Sequence, residues 1–86
     1  MNAEKLLSLK VLELRKARRL TQRQFGEIGD VSGPYINNIE KGLRFPSLEL
    51  VFQLEKGLGL SEPELSSLVI QVAYEKAIKK TQAKIV

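Results

Sequence analysis

The sequence predicts an all-α fold of five helices, the last of them extended. Three observations predict it. Apolar residues recur at three- and four-residue spacing, in Leu7, Val11 and Leu14 and again in Leu65, Leu68, Val69, Val72 and Ala73, which lines one face of a helix. Residues that cap helix starts (Thr21, Ser32, Ser47 and Ser61) stand just ahead of these runs. Helix-ending signals follow them: Gly29-Asp30, Gly42, and Gly57 with Gly59.

The first helix is expected over residues 3–18, with Leu7, Val11 and Leu14 inward. Leu6, Leu9 and Leu12 either widen that face or cover a second contact. Arg15, Lys16, Arg18 and Arg19 finish the helix, where cations favour the negative end of its dipole. The second helix is expected over 22–29. Thr21 and Gln24 form a capping box across its start, and Phe25 and Ile28 share a face. Asp30 stands in the turn, where it tolerates a left-handed backbone better than most side chains. The third helix, 33–40, starts from the cap Ser32 with Pro34 in its first turn. Ile36 and Ile39 point one way, Asn37, Asn38 and Lys41 elsewhere, and Gly42 ends it. A loop, 41–46, leads to a fourth helix over 47–57 with Leu48, Val51, Phe52 and Leu54 as its core face. Ser61-Glu62-Pro63-Glu64 reads as a second capping box, opening a fifth helix over 62–80 whose stripe continues to Ile78. The last residues, 81–86, are expected to fray.

Eighty-six residues make one small domain. The chain has no Cys and no His, which excludes zinc fingers, thiolate nucleophiles and imidazole chemistry. Acidic residues do not cluster, so neither a metal nor a cofactor is expected, and neither is an enzyme. No apolar run approaches membrane-spanning length, and the start carries no cleavable leader pattern. A soluble protein of the cytoplasm, away from membranes, is therefore expected. The net charge is +4, and it is uneven. Residues 1–46 hold nine Lys/Arg against five acids; residues 47–86 hold five of each. The basic half suits a polyanionic partner, although a solubilising surface would have the same composition.

Helix, four-residue turn and helix over 21–42, with amides turned outward on the second helix, is the layout of a helix-turn-helix DNA reader. The run Leu14-Arg15, Leu20-Thr21-Gln22, Val31-Ser32, Tyr35-Ile36, Ile39-Glu40, Gly42, Pro46-Ser47-Leu48 and Leu58-Gly59 resembles the lambda-repressor/Cro-type (XRE-like) domain over residues 8–65. The resemblance implies a five-helix domain over 1–65 and an added C-terminal helix over 62–86. It implies that Gln22 contacts the DNA backbone and that Arg15 pairs with Glu40. It implies that the start of the third helix and Asn38 reach bases.

Direct base readout looks thin here, because Gly33 and Pro34 stand where such domains often carry polar side chains. The candidates for base contact are Ser32, Gly33 through its amide and close approach, Pro34 through packing, Asn37 and Asn38; Asn can bond adenine on two atoms. The candidates for phosphate contact are Gln22, Arg23, Lys41, Arg44 and Tyr35, the last of which packs in the core equally well. Gly26 replaces the usual Ala at the closest helix crossing. Glu55 and Gly57 replace small or apolar residues, so a loosely packed fourth helix is expected.

The fifth helix is longer than such a core requires. Its stripe Leu65, Leu68, Val69 and Val72 is expected to dimerise with a second copy, the alternative being that it folds onto the chain's own first and fourth helices. Together these residues point to a dimeric regulator binding double-stranded DNA, most simply a repressor. A protein-interaction module, such as an antitoxin or a regulator of another repressor, is the other reading.

Overall fold

The computed structural model describes the backbone of residues 2–85 and the side chains of residues 2–81. Among the described residues the elements are five α-helices and no strand: α1 Ala3–Ala17, α2 Gln22–Ile28, α3 Gly33–Glu40, α4 Leu48–Gly57 and α5 Ser66–Ile85.

Helix α1 starts on Asn2, whose side chain accepts from the Lys5 amide at 2.8 Å. It ends at Ala17, before Arg18 and Arg19. Arg19 takes φ 54 in the turn, while Arg18 Nη1 donates back to the Leu14 carbonyl. Leu7, Val11 and Leu14 are buried as their spacing requires, whereas Leu6 and Leu9 are 40% and 48% exposed. The Thr21–Gln24 box forms in both directions, at 3.0 and 2.9 Å. Asp30 adopts φ 58 in the turn and Gly42 φ 75 after α3.

The core gathers Leu7, Val11, Leu14, Phe25, Ile36, Ile39, Leu50, Val51, Leu54, Leu65 and Val69. Every helix contributes, so the packed unit runs past residue 65 into α5.

Helix α4 is turned relative to its expected face. Leu50, Val51, Leu54 and Glu55 point inward, while Leu48 and Phe52 are exposed. The cause is Glu55, the one charged residue of α4 that is buried. Its Oε2 accepts from the Leu65 amide, the Ser66 amide and the Ser66 hydroxyl at 2.9, 2.8 and 3.0 Å. Glu55 thus caps α5 from another helix, and α4 is held to α5 instead of being loosely packed. Gly57 contributes likewise: the space a Cβ would take there is filled by Ile28 of α2.

Ser61-Glu62-Pro63-Glu64 does not cap α5, which begins four residues later than expected at its capping box. Glu64 instead pairs with Lys10 at 2.9 Å. Farther along, Lys76 reaches Glu4 at 3.5 Å, so α5 runs antiparallel to α1. Leu65, Val69 and Val72 are buried and Leu68 is half-buried. The stripe expected to dimerise is therefore spent largely on the chain's own core. Ile78 lies off it and is 38% exposed.

Candidate nucleic-acid interface

The site is built by setting α3 tightly on α2. A Cβ on Gly26 would lie 2.5 Å from the Val31 carbonyl oxygen, and a Cβ on Gly33 3.2 Å from the Arg23 backbone nitrogen. Both glycines let backbones meet: a side chain at Gly26 would run into the turn before α3, and one at Gly33 would press on the α2 backbone at Arg23. The close approach expected of Gly33 is thus made to α2, and its amide stands at the start of α3. Ser32 Oγ accepts from the Tyr35 amide at 3.2 Å, and Pro34 is exposed beside it.

A chain of polar side chains then locks α3 to α1. Arg15 Nε and Nη2 donate to the two Glu40 oxygens at 2.6 and 3.1 Å, and Nη1 donates to the Leu20 carbonyl. These two-pronged contacts raise the Arg15 pKa above its ordinary value, chiefly through the hydrogen bond to Glu40. A raised pKa means that the charged arginine's contribution is complete below the unfolded value and is lost only in strong base. Gln22 Nε2 donates to Glu40 Oε1 and to Asn37 Oδ1, both at 3.0 Å. The side-chain donor expected to meet phosphate at Gln22 is therefore engaged inside the protein. The backbone amides at the start of α2 remain as donors there.

Asn38 sits one residue on. Its carbonyl accepts from the Leu43 and Arg44 amides at 2.8 and 3.2 Å, and its half-buried side chain makes no hydrogen bond among the described residues. Arg44 stacks over the Tyr35 ring at 4.7 Å, so the tyrosine both borders the core and supports a cation. Arg23 is exposed and lies 3.6 Å from Glu27; Lys41 is exposed at the end of α3. Sequence reasoning missed Lys5. It lines one cleft with Lys41 and Arg44, between the start of α1 and the loop after α3. Spacing gives no sign of a neighbour thirty-six residues away. Among the described residues no group of acidic side chains is placed to hold a metal.

The sequence model for the family described as Helix-turn-helix matches residues 11–65, which span all of this constellation except Lys5. The chain belongs to the helix-turn-helix family. An HTH-type transcriptional regulator of Sinorhizobium fredii is 31% identical over 65 residues, covering 76% of this chain and 84% of the relative. An HTH-type transcriptional regulator of Mycobacterium tuberculosis is 38% identical over 47 residues, which is 55% of this chain. This helix-turn-helix chain spans 34% of the length of that relative. The crystal structure of the clp gene regulator ClgR from Corynebacterium glutamicum has the same fold, with a TM-score of 0.66, 24% identity, and coverage of 99% of this chain and 87% of that one. Among the described residues no helix is long and apolar enough to cross a membrane.

Proposed function

We propose that this helix-turn-helix chain is a DNA-binding transcription regulator that places α3 in the major groove of a two-fold-related operator. It binds and does not catalyse, it works in the cytoplasm, and it represses by occupying the operator. The observation that carries this reading is the Arg15–Glu40–Gln22 chain, which ties α3, with Ser32, Pro34, Asn37 and Asn38 at its start and along it, to α1 and α2. The cations Arg23, Lys41 and Arg44 lie on α2 and just after α3. The cations and the amides at the start of α2 take phosphates, and the α3 side chains take base edges.

Two copies are needed to span two half-sites. Leu65, Val69 and Val72 are not free for that contact, but α5 carries a second apolar stripe. Ile70, Tyr74 and Ile78, at i, i+4 and i+8, are 55%, 66% and 38% exposed, on the side away from the body. Beyond Lys76 the helix extends about 13.5 Å farther, and a helical segment this short is marginal in water without a partner. A second copy docked along Ile70, Tyr74 and Ile78 supplies one. Tyr74→Glu in the 86-residue chain is expected to shift sedimentation to monomer; an unchanged dimer would place the contact elsewhere.

The test of function is selection from a random duplex pool at about 150 mM salt. A two-fold motif with half-site centres about 34–36 Å apart supports the regulator. Weak, sequence-blind binding overturns it. The exposed apolar pair Leu48 and Phe52 on α4 favours the second reading, a module that holds another protein, and a pull-down with a stoichiometric partner and no operator would establish it.

A further inference from the structure

We infer that Gln22 is a positioning residue for Asn37. The chain from Arg15 fixes the sense of the Asn37 amide, so that its N–H2 end is the end that meets a hydrogen-bond acceptor on DNA. This rests on the DNA-binding reading above.

The sense follows from which groups can donate. Arg15 has only donors. It holds both oxygens of Glu40 at 2.6 and 3.1 Å, and an ionised carboxylate has only acceptors. The Gln22 atom lying 3.0 Å from Glu40 Oε1 must therefore be its amide nitrogen. Turning the Gln22 amide over would set its carbonyl oxygen against the carboxylate with no proton between them. The same nitrogen lies 3.0 Å from Asn37, and its second N–H requires an acceptor there, which is Asn37 Oδ1. Turning Asn37 over would set two N–H2 groups against each other. One charge on α1 thus determines, three links away, which end of an amide on α3 is committed and which is free.

Asn38 has no such restraint, since its side chain has no hydrogen-bond partner among the described residues and either end can face the groove. The neighbouring asparagines therefore differ in kind. Asn37 is preset, with Nδ2 as its free donor. Asn38 adapts to the base it meets. The acceptor that Asn37 meets is a phosphate oxygen or an acceptor on a base edge, chemistries that a fixed N–H2 serves equally.

The experiment is a double-mutant cycle on the selected operator, using the 86-residue chain with Gln22→Met, Asn37→Ala and the pair. Each single change is expected to weaken binding about tenfold, and the pair about tenfold as well, because Gln22 acts through Asn37. Additive losses would show that Gln22 touches DNA itself and would overturn the inference. A loss from Asn37→Ala confined to one operator position identifies a base acceptor; an equal loss on every sequence identifies a phosphate. Gln22→Met must also relax base preference where Asn37→Ala does in the base case, which general loosening of the fold would not do.

A measurement without DNA separates this failure from that of the regulator reading. In the free protein the Gln22 side-chain N–H2 protons should exchange slowly with water and those of Asn37 quickly. The reverse order overturns the inference even if an operator is found. A protein that binds no DNA overturns both readings, whatever the exchange rates.

Discussion

Residues 21–42 and residues 48–72 each carry two helices and a short connection, but they hold the second helix in different ways. In the first region the restraints that set where each helix starts and turns are close by, while the Arg15–Glu40 pair adds a distant tie to α1. Thr21 and Gln24 cap each other across three residues, Ser32 caps the amide of Tyr35, and Asp30 takes the left-handed turn. In the second region the restraint on α5 comes from Glu55, ten and eleven residues earlier on a different helix. Ser61 and Glu64, which have the right spacing to cap, do not cap at all. A capping box needs its first residue to be extended and the next three to be helical. Here α5 cannot start at Glu62, because Leu65 must enter the core and Glu55 must reach the amides of Leu65 and Ser66. Local pattern governs where no buried group competes with it, and yields where one does.

The largest expected effect breaks the second region. Glu55→Ala leaves two buried amides and a hydroxyl without their acceptor, and should cost about 3 kcal/mol in urea unfolding, on the scale of hydrogen bonds to charged groups. Ser61→Ala, removing the cap that the sequence alone favours, should stay within about 0.5 kcal/mol. Equal effects from the two would show that α5 has two competing starts.

In the first region, Glu40→Ala removes the carboxylate acceptor of both Arg15 and Gln22, leaving them the Leu20 carbonyl and Asn37 Oδ1. About 2 kcal/mol of stability should be lost, together with DNA affinity, and a titration on the operator beside a thermal melt separates the two. Gly26→Ala follows. The added Cβ would meet the Val31 carbonyl at 2.5 Å, a backbone atom that moves only with the turn. It should destabilise by roughly 1–2 kcal/mol although alanine is the better helix former. A stabilised variant would mean that the α2–α3 crossing has room to spare. The smallest effect in this region is Thr21→Ala, about 1 kcal/mol for an exposed cap, measurable by the same unfolding curves.

Much of the candidate site was legible because its signals are local or carried by the family pattern. The bounds of α2 and α3, the cap at Ser32 and the outward Asn38 all follow from residues within four positions. Arg15 and Glu40 are 25 residues apart, and only the resemblance to known domains put them together; the structure has them bonded. Three features were hidden. Gln22 has no sign in the sequence that its amide is spoken for. Gly33 looks like room for DNA, yet its missing side chain makes room for α2. Lys5 shares a cleft with Lys41 and Arg44 only because α1 passes the loop after α3.

The sequence by itself determined the helices, most of their starts, the buried face of α1 and the basic charge of the half that carries α2 and α3. These depend on propensity, capping and three-to-four spacing, all of which act within about one helical turn. Tertiary structure alone decided which face of α4 turns inward, where α5 begins and which stripe of α5 the core takes. Spacing marks an apolar face without naming what covers it. With Ile70, Tyr74 and Ile78 opposite Leu65, Val69 and Val72, α5 has two faces to offer, and the choice between them falls to the Glu55 contact and the shape of the core it closes.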